Sequence, residues 1–479
     1  MKTMKRREAI PLVPLSVAGL TTLAMKAFSQ SMPQEDHVVQ YSFSSSEPLS
    51  IMYTQKVRQM LTWIRNTQSD NILESAYMTA RTKMKGNTCW CMWDMGHGHN
   101  IDIFYPGRNG LPEIFTDGYD PEKAKDGDLF LADINLSTIV SDLDKKDIFV
   151  IGSPVPWGMD AIGGELIEHE AAKVRIRPYS RIWIETNITT HGAVMQIPGM
   201  TAPIGPVSGI IGMVTFWMIV ADACRILARE GVTVPVKGDE PEINREREKP
   251  AIDLCNPLMD EYFEEVMSQI ELIGAELGGI RKIARMAVDS VLSGGRVYGY
   301  DRYGGFAAEA RGRRGGLLLT QGMSADENGN ISGWNSWAGT EKPSPKDLVI
   351  MGLSKPDDEV DLRVLDTVRK AGVKVVSMGP MMRDNKIPEG RTVPKETDVH
   401  VGTMCDTYGL FAIPGFKQKV CPTSGALLNQ IFWATCMEIV CEIYNRTGGD
   451  VPNAFLSVAL KGGLKNMYRL FEVYKYRGY

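Results

Sequence analysis

Two histidines share one short loop, Gly96-His97-Gly98-His99-Asn100, and they are two of only six in 479 residues. Imidazole is the side chain that gains and loses a proton near neutral pH, so this loop is suited to acid–base work. The plainer alternative is a tight Gly-His-Gly-His turn whose rings bond locally. Cys89, Cys91 and Asp94 stand just before the pair, and His-x-His can supply two ligands to a catalytic metal, but the spacing matches no recognised closed site. A second cluster, Glu165, Glu168, His169 and Glu170, lies in GGELIEHEAAK. Glu165 and His169 are neighbours on a helix face, an arrangement that suits an acid–base pair or a solvated surface.

The elements that must position these groups occur twice. IPGMTAPIGPVSGIIGMVTFW (197–217) and IPGFKQKVCPTSGALLNQIFW (413–433) align Pro206-Val207-Ser208-Gly209 with Pro422-Thr423-Ser424-Gly425 and Phe216-Trp217 with Phe432-Trp433, both at an offset of 216. Upstream, Tyr53 pairs with Tyr262, Val57 with Val266 and Gly86 with Gly295, each 209 residues on. Lys146 to Gly152 matches Lys346 to Gly352 at an offset of 200. A repeat of this length is a whole domain. In each copy a long amphipathic helix leads into short apolar runs, read as strands near 88–94, 129–133, 148–152 and 173–177, then 296–300, 317–320, 348–353 and 373–378. Such runs separated by helices predict an α/β fold of two lobes, each with a mainly parallel sheet covered on both faces. The apolar stretch Ser208 to Ala221 reads as a buried helix, because it is short for a membrane span and its partner carries Asn429, Gln430 and Glu438.

Composition narrows the partners. A net charge of −5 and a pI near 5.8 give no basic field for nucleic acid, which leaves a small molecule or a protein as the expected partner. Lys2, Lys5, Arg6 and Arg7 precede the uncharged stretch Ala9 to Met25, and Ala27-Phe28-Ser29 offers small residues for cleavage. This is a signal-peptide layout, and the paired arginines point to the twin-arginine route and the periplasm, with no stable membrane span after cleavage. The expected organisation is a signal peptide at 1–29, a polar spacer at 30–50, a first lobe at 51–236, a charged linker at 237–257 and a second lobe at 258–479. Eight cysteines show no paired CxxC arrangement, and their pairing is not legible.

In these features the chain resembles the sugar isomerase (SIS) domain family in tandem form over residues 51–479. The resemblance rests on the Pro-x-Ser-Gly turns, the long apolar helices after them and the closing Gly231-Val232-Thr233-Val234-Pro235 and Gly449-Asp450-Val451-Pro452. A second match is divided between the lobes: Gly-His-Gly-His in the first, and Glu309, Arg313, Gly315 and Gly316 in the second. It implies α/β/α sandwich lobes binding a sugar at the carboxyl ends of the strands, where open parallel sheets hold ligands in general. Isomerisation needs a proton-transfer pair, for which His97, His99 and Glu309 are suitable and are expected on the rim of a shared cleft. Asn100, Ser153, Trp157, His191, Ser208, Arg313, Ser354 and Ser424 are the expected substrate contacts, and Asp406 occupies the loop matching that of His191. Phosphosugar-binding members follow their middle strand with a hydroxyl-rich loop. The loops read as equivalent, Gly152 to Gly158 and Gly352 to Asp358, carry prolines and the acidic pair Asp357-Asp358, which favours an unphosphorylated sugar. No G-x-G-x-x-G follows a strand, so no cofactor is expected. The alternatives are a non-catalytic sugar-binding or regulatory protein and a metal-dependent hydrolase; a homodimer is compatible with each. If the export reading holds, amino-terminal sequencing of the secreted protein begins at Gln30, and retention of Met1 overturns it.

Overall fold

The computed structural model describes residues 38–93, 114–132, 142–143, 145–153, 179–188, 192–232, 255–336, 339–340, 342–382, 386–403, 409–416, 419–455 and 463–479. The expected export segment, most of the charged linker and the Glu165–Glu170 cluster lie outside the described residues.

Helix α1 (Leu49–Met84) follows from its spacing: Tyr53, Val57, Met60, Leu61 and Ile64 recur every three or four residues and are buried along one face. Beyond it, β2 (Cys89–Met92), β3 (Thr116–Asp117), β4 (Leu129–Ala132), β5 (Phe149–Gly152) and β6 (Ser180–Trp183) form a sheet in the order β3-β2-β4-β5-β6. Every neighbouring pair is parallel. The second sheet contains β9 (Val297–Tyr300), β10 (Thr320–Ala325), β13 (Leu348–Gly352), β14 (Lys374–Gly379) and β15 (Val399–Gly402) in the order β10-β9-β13-β14-β15, again all parallel. It continues beyond β10 through the antiparallel strands β11 (Ile331–Ser336) and β12 (Gly339–Thr340). Counted within each set of five parallel strands, both sheets run 2-1-3-4-5. The α/β reading therefore holds, and the repeat extends to strand order.

That order corrects one alignment. Strand β13 lies beside β9, the first strand of its sheet, and the strand in that position of the first sheet is β4, not β5. The hydrogen bonds agree. Asp128, just before β4, accepts from the backbone N–H of Thr88 at 2.9 Å and of Lys125 at 3.1 Å. Asp347, just before β13, accepts from the N–H of Arg296 and of Ser344, both at 2.8 Å. The match of Lys146–Gly152 to Lys346–Gly352 was misleading because strands buried on both faces read as apolar runs with no period to fix their register. The loop matching Gly352 to Asp358 begins at Asp133, outside the described residues.

Two helices bind the halves together. Helices α2 (Ser208–Arg229) and α8 (Ser424–Thr447) are buried along almost their whole circumference, and α1 packs against both. Each is long and apolar enough to cross a membrane by composition, yet most of each lies inside the fold. In the second half, α3 (Leu258–Leu272), a short 3-10 turn and α4 (Leu277–Leu292) hold the place in chain order that α1 holds alone in the first. One contact is made twice: the Tyr53 hydroxyl donates to the carbonyl of Pro206 at 2.6 Å, and the Tyr262 hydroxyl to that of Pro422 at 2.9 Å. The residue before each proline is left-handed, Gly205 at φ 81° and Cys421 at φ 63°. A Cβ at Gly205 would lie 2.9 Å from the Tyr53 ring, so the first copy of this turn requires glycine.

The stretch read as a polar spacer is part of this body from residue 38. Strand β1 (Val39–Gln40) pairs in parallel with β7 (Ala193–Gln196), which forms a hairpin with β8 (Ile204–Pro206). Phe43 stacks on Tyr444 of α8 with ring centroids 3.5 Å apart. Of the expected strands, 317–320 begins instead at Thr320, and 173–177 lies outside the described residues. Removing either tyrosine hydroxyl leaves a buried carbonyl without its donor. Tyr53→Phe and Tyr262→Phe should each cost about 1–2 kcal/mol in urea unfolding, and unchanged midpoints would show that the repeated bond does not support the fold.

Candidate functional site

In an open parallel sheet the ligand crevice lies beyond the carboxyl ends of the strands where strand order reverses. In the second sheet that point falls between β9 and β13, and the chain places helix α5 (Gly305–Gly312) immediately after β9. Gly304 opens the helix at φ 81°, and the Asp301 carboxylate accepts from the N–H of Ala307 at 3.0 Å. Phe306 in its first turn packs edge-to-face on Phe432 with centroids 5.1 Å apart, and a Cβ at Gly352 would lie 2.6 Å from the Phe306 ring. The end of β13 thus needs glycine to let α5 sit across it. This seats Glu309.

Glu309 is fully buried, which corrects the expectation of a residue on the rim of an open cleft. Its Oε1 accepts from the indole N–H of Trp433 at 3.2 Å, and Nε of Arg313, one helical turn on, lies 3.6 Å from the same oxygen. Among the described residues its Oε2 has no hydrogen-bond partner. A buried carboxylate oxygen needs a donor, so Oε2 is the atom of this cluster suited to accept from a hydroxyl. Arg313 is itself buried and acts as the partner of Glu309. Burial and the neighbouring Arg313 charge lower the pKa of Arg314 to about 10. Gly315 and Gly316 make the close approach possible: a Cβ would lie 2.4 Å from Ala193 Cβ at the first and 2.6 Å from the Trp433 ring at the second.

The first half reaches this site as well. The N–H of Gly205 donates to the carbonyl of Gly315 at 3.1 Å. The Tyr53 hydroxyl is held well above its ordinary pKa, first by burial and then by the charge of Glu309. A carboxylate from one copy of the repeat and a phenol from the other therefore lie within electrostatic reach.

The other expected residues divide. Ser153 follows β5, Ser354 follows β13, and Ser208 and Ser424 open α2 and α8; all four are buried. The hydroxyls of Ser153 and Ser208 have no hydrogen-bond partner among the described residues. His97, His99, Asn100, Trp157, His191, Asp94 and Asp406 lie outside the described residues. Of the thiols offered to a metal, Cys89 is buried in β2, where desolvation pushes its pKa up to about 12, a poor setting for a thiolate ligand. The residues not foreseen are Tyr53, Trp433 and Asn429. Asn429 lies one turn before Trp433, is fully buried, and has neither amide atom hydrogen-bonded among the described residues. The signal was present: an indole and an amide four residues apart in a long, largely buried helix.

The loop after β13 differs from its expected role in one respect. Asp358 does more than repel anions: its Oδ1 accepts from the N–H groups of Val360 at 2.9 Å and Asp361 at 3.2 Å, capping α6 (Glu359–Lys370). Its Oδ2 pairs with Arg302 at 2.7 Å. An internal carboxylate thus occupies the helix start where a phosphate would bind.

No protein-family model matches the chain, and no curated protein matches it. Among solved structures it is similar to the C-terminal domain of glucosamine-fructose-6-phosphate aminotransferase from Francisella tularensis, at 11% identity and a TM-score of 0.41, over 86% of this chain and 99% of that one. It is also similar to tagatose-6-phosphate ketose/aldose isomerase from Escherichia coli, at 12% identity and a TM-score of 0.40, over 86% and 97% of the two chains.

The capping role of Asp358 is open to test. Asp358→Ala should lose about 1–2 kcal/mol, and added sulfate should then stabilise the variant more than the parent at matched ionic strength. An equal response in both would show that the helix start was not filled by Asp358.

Proposed function

We propose that the chain is a sugar isomerase, or a related acid–base enzyme, acting on an unphosphorylated sugar or sugar derivative between two SIS-like lobes, 51–236 and 258–479, and exported to the periplasm by the twin-arginine route. The observation that carries the reading is Glu309: a buried carboxylate at the strand-order switch, with one oxygen fixed by Trp433 and Arg313 and the other without a partner among the described residues. Aldose–ketose conversion moves a proton from C2 to C1 and another from O2 to O1, with no change in composition. It requires one group to accept and return the carbon-bound proton and another to serve the oxygens. Glu309 Oε2 is assigned one of these tasks, and His97 or His99 the other. The carboxylate of Asp358 at the start of α6 supports an unphosphorylated substrate.

The full burial of Glu309 and its ion pair also favour a second reading, a sugar-binding protein in which this cluster is structural. Incubation with a panel of free aldoses and ketoses in deuterated water, followed by NMR, separates the two. The enzyme should exchange the C1 or C2 proton of at least one sugar, and Glu309→Gln and the His97→Ala, His99→Ala pair should each slow exchange by ~10²–10⁴-fold. Binding without exchange would assign the second reading.

A further inference from the structure

A cavity of about 370 Å³ lies between the carboxyl-terminal half of α8, helix α4 and the chain segment leading into α1. None of its lining residues belongs to the cluster around Glu309. Helix α4 contributes Arg281 and Arg285, one turn apart, and α8 contributes Glu438 and Glu442, also one turn apart, with Asn445 beyond them. Tyr41, Phe43 and Ala284 add a less polar wall.

The inner charges are committed to structure. Arg281 pairs with Glu438 at 2.8 Å, and the other oxygen of Glu438 accepts from the N–H of Ser50 at 3.2 Å and its hydroxyl at 2.5 Å, capping α1. The outer charges are not so used. Arg285 and Glu442 both line the cavity, and neither forms an ion pair or side-chain hydrogen bond among the described residues. The cavity thus has a cation on its α4 wall and an anion on its α8 wall, while the third outer charge, Glu47, accepts from the Gln55 amide at 2.8 Å; such a lining suits a molecule that carries both opposite charges.

We infer that this cavity binds a small zwitterion with one carboxylate and one ammonium group, the class of the α-amino acids. The carboxylate lies on the Arg285 guanidinium, the ammonium on the Glu442 carboxylate, and the side-chain amide of Asn445 beside them. The site is independent of the sugar chemistry proposed above, and α8 carries both: Asn445 is twelve residues beyond Trp433, roughly 18 Å along the helix axis.

The test is calorimetric titration of the full chain with each of the twenty L-amino acids, and of any binder with its N-acetyl and carboxamide derivatives. At least one amino acid should bind with a Kd below about 1 mM, and blocking either charge should weaken it by ~10- to 100-fold, the worth of a hydrogen bond to a charged group. Arg285→Gln and Glu442→Gln should each cause a loss of the same order, with thermal midpoints near that of the parent because both residues lie outside the core. Failure of all twenty to bind overturns the inference. So does undiminished binding of the blocked derivatives, a comparison that needs no variant to fold.

Discussion

Helices α2 and α8 are buried around almost their whole circumference, and the rest of the architecture depends on covering them. A helix with no polar stripe cannot lie on a surface without exposing side chains worth about 1.5–3 kcal/mol each on burial. The solution is mutual: α1 of the first half lies against α2 and α8 together, α8 also packs on α4, and α2 on α3. This shared burial makes residues 38–479 one compact unit in spite of two separate parallel sheets.

Shared burial also makes the site composite. Once α8 is enclosed, any polar side chain along it needs a partner inside the protein. Trp433 finds Glu309, Gln430 donates to Thr54 of α1 at 3.0 Å, and Glu438 caps α1. Each bond joins α8 to another element, so the polar residues of this one helix join both halves and position the carboxylate at the strand-order switch. The glycines at 205, 315, 316 and 352 serve the same end by removing the Cβ atoms that would hold these elements apart.

Parts of this were legible because they depend on local chain chemistry. The period of Tyr53, Val57, Met60, Leu61 and Ile64 gave α1 its buried face. The apolar runs gave β2, β4, β5, β9, β13 and β14 within two residues. The repeat of the Pro-x-Ser-Gly turns identified α2 and α8 as matching elements, and Glu309 and Arg313 were legible as separate site residues, a proton-transfer group and a substrate contact, but not as each other's partner. Strands β6 and β15 escaped notice because Arg181 and His400 interrupt runs of only four residues. The counterpart of β13 was misassigned, since an apolar run carries no register.

What the sequence by itself determined was the periodicity and the duplication, that is, which stretches become helices and strands and that they do so twice. Tertiary structure alone decided strand order, the depth of Glu309 and its bond to Trp433, and the cavity between α4 and α8. The physical reason is that these depend on contacts between residues more than a hundred positions apart, or on which of several similar apolar strands lie side by side. Local pattern carries the propensity of a segment, and burial of the same two helices by both halves sets where each segment goes.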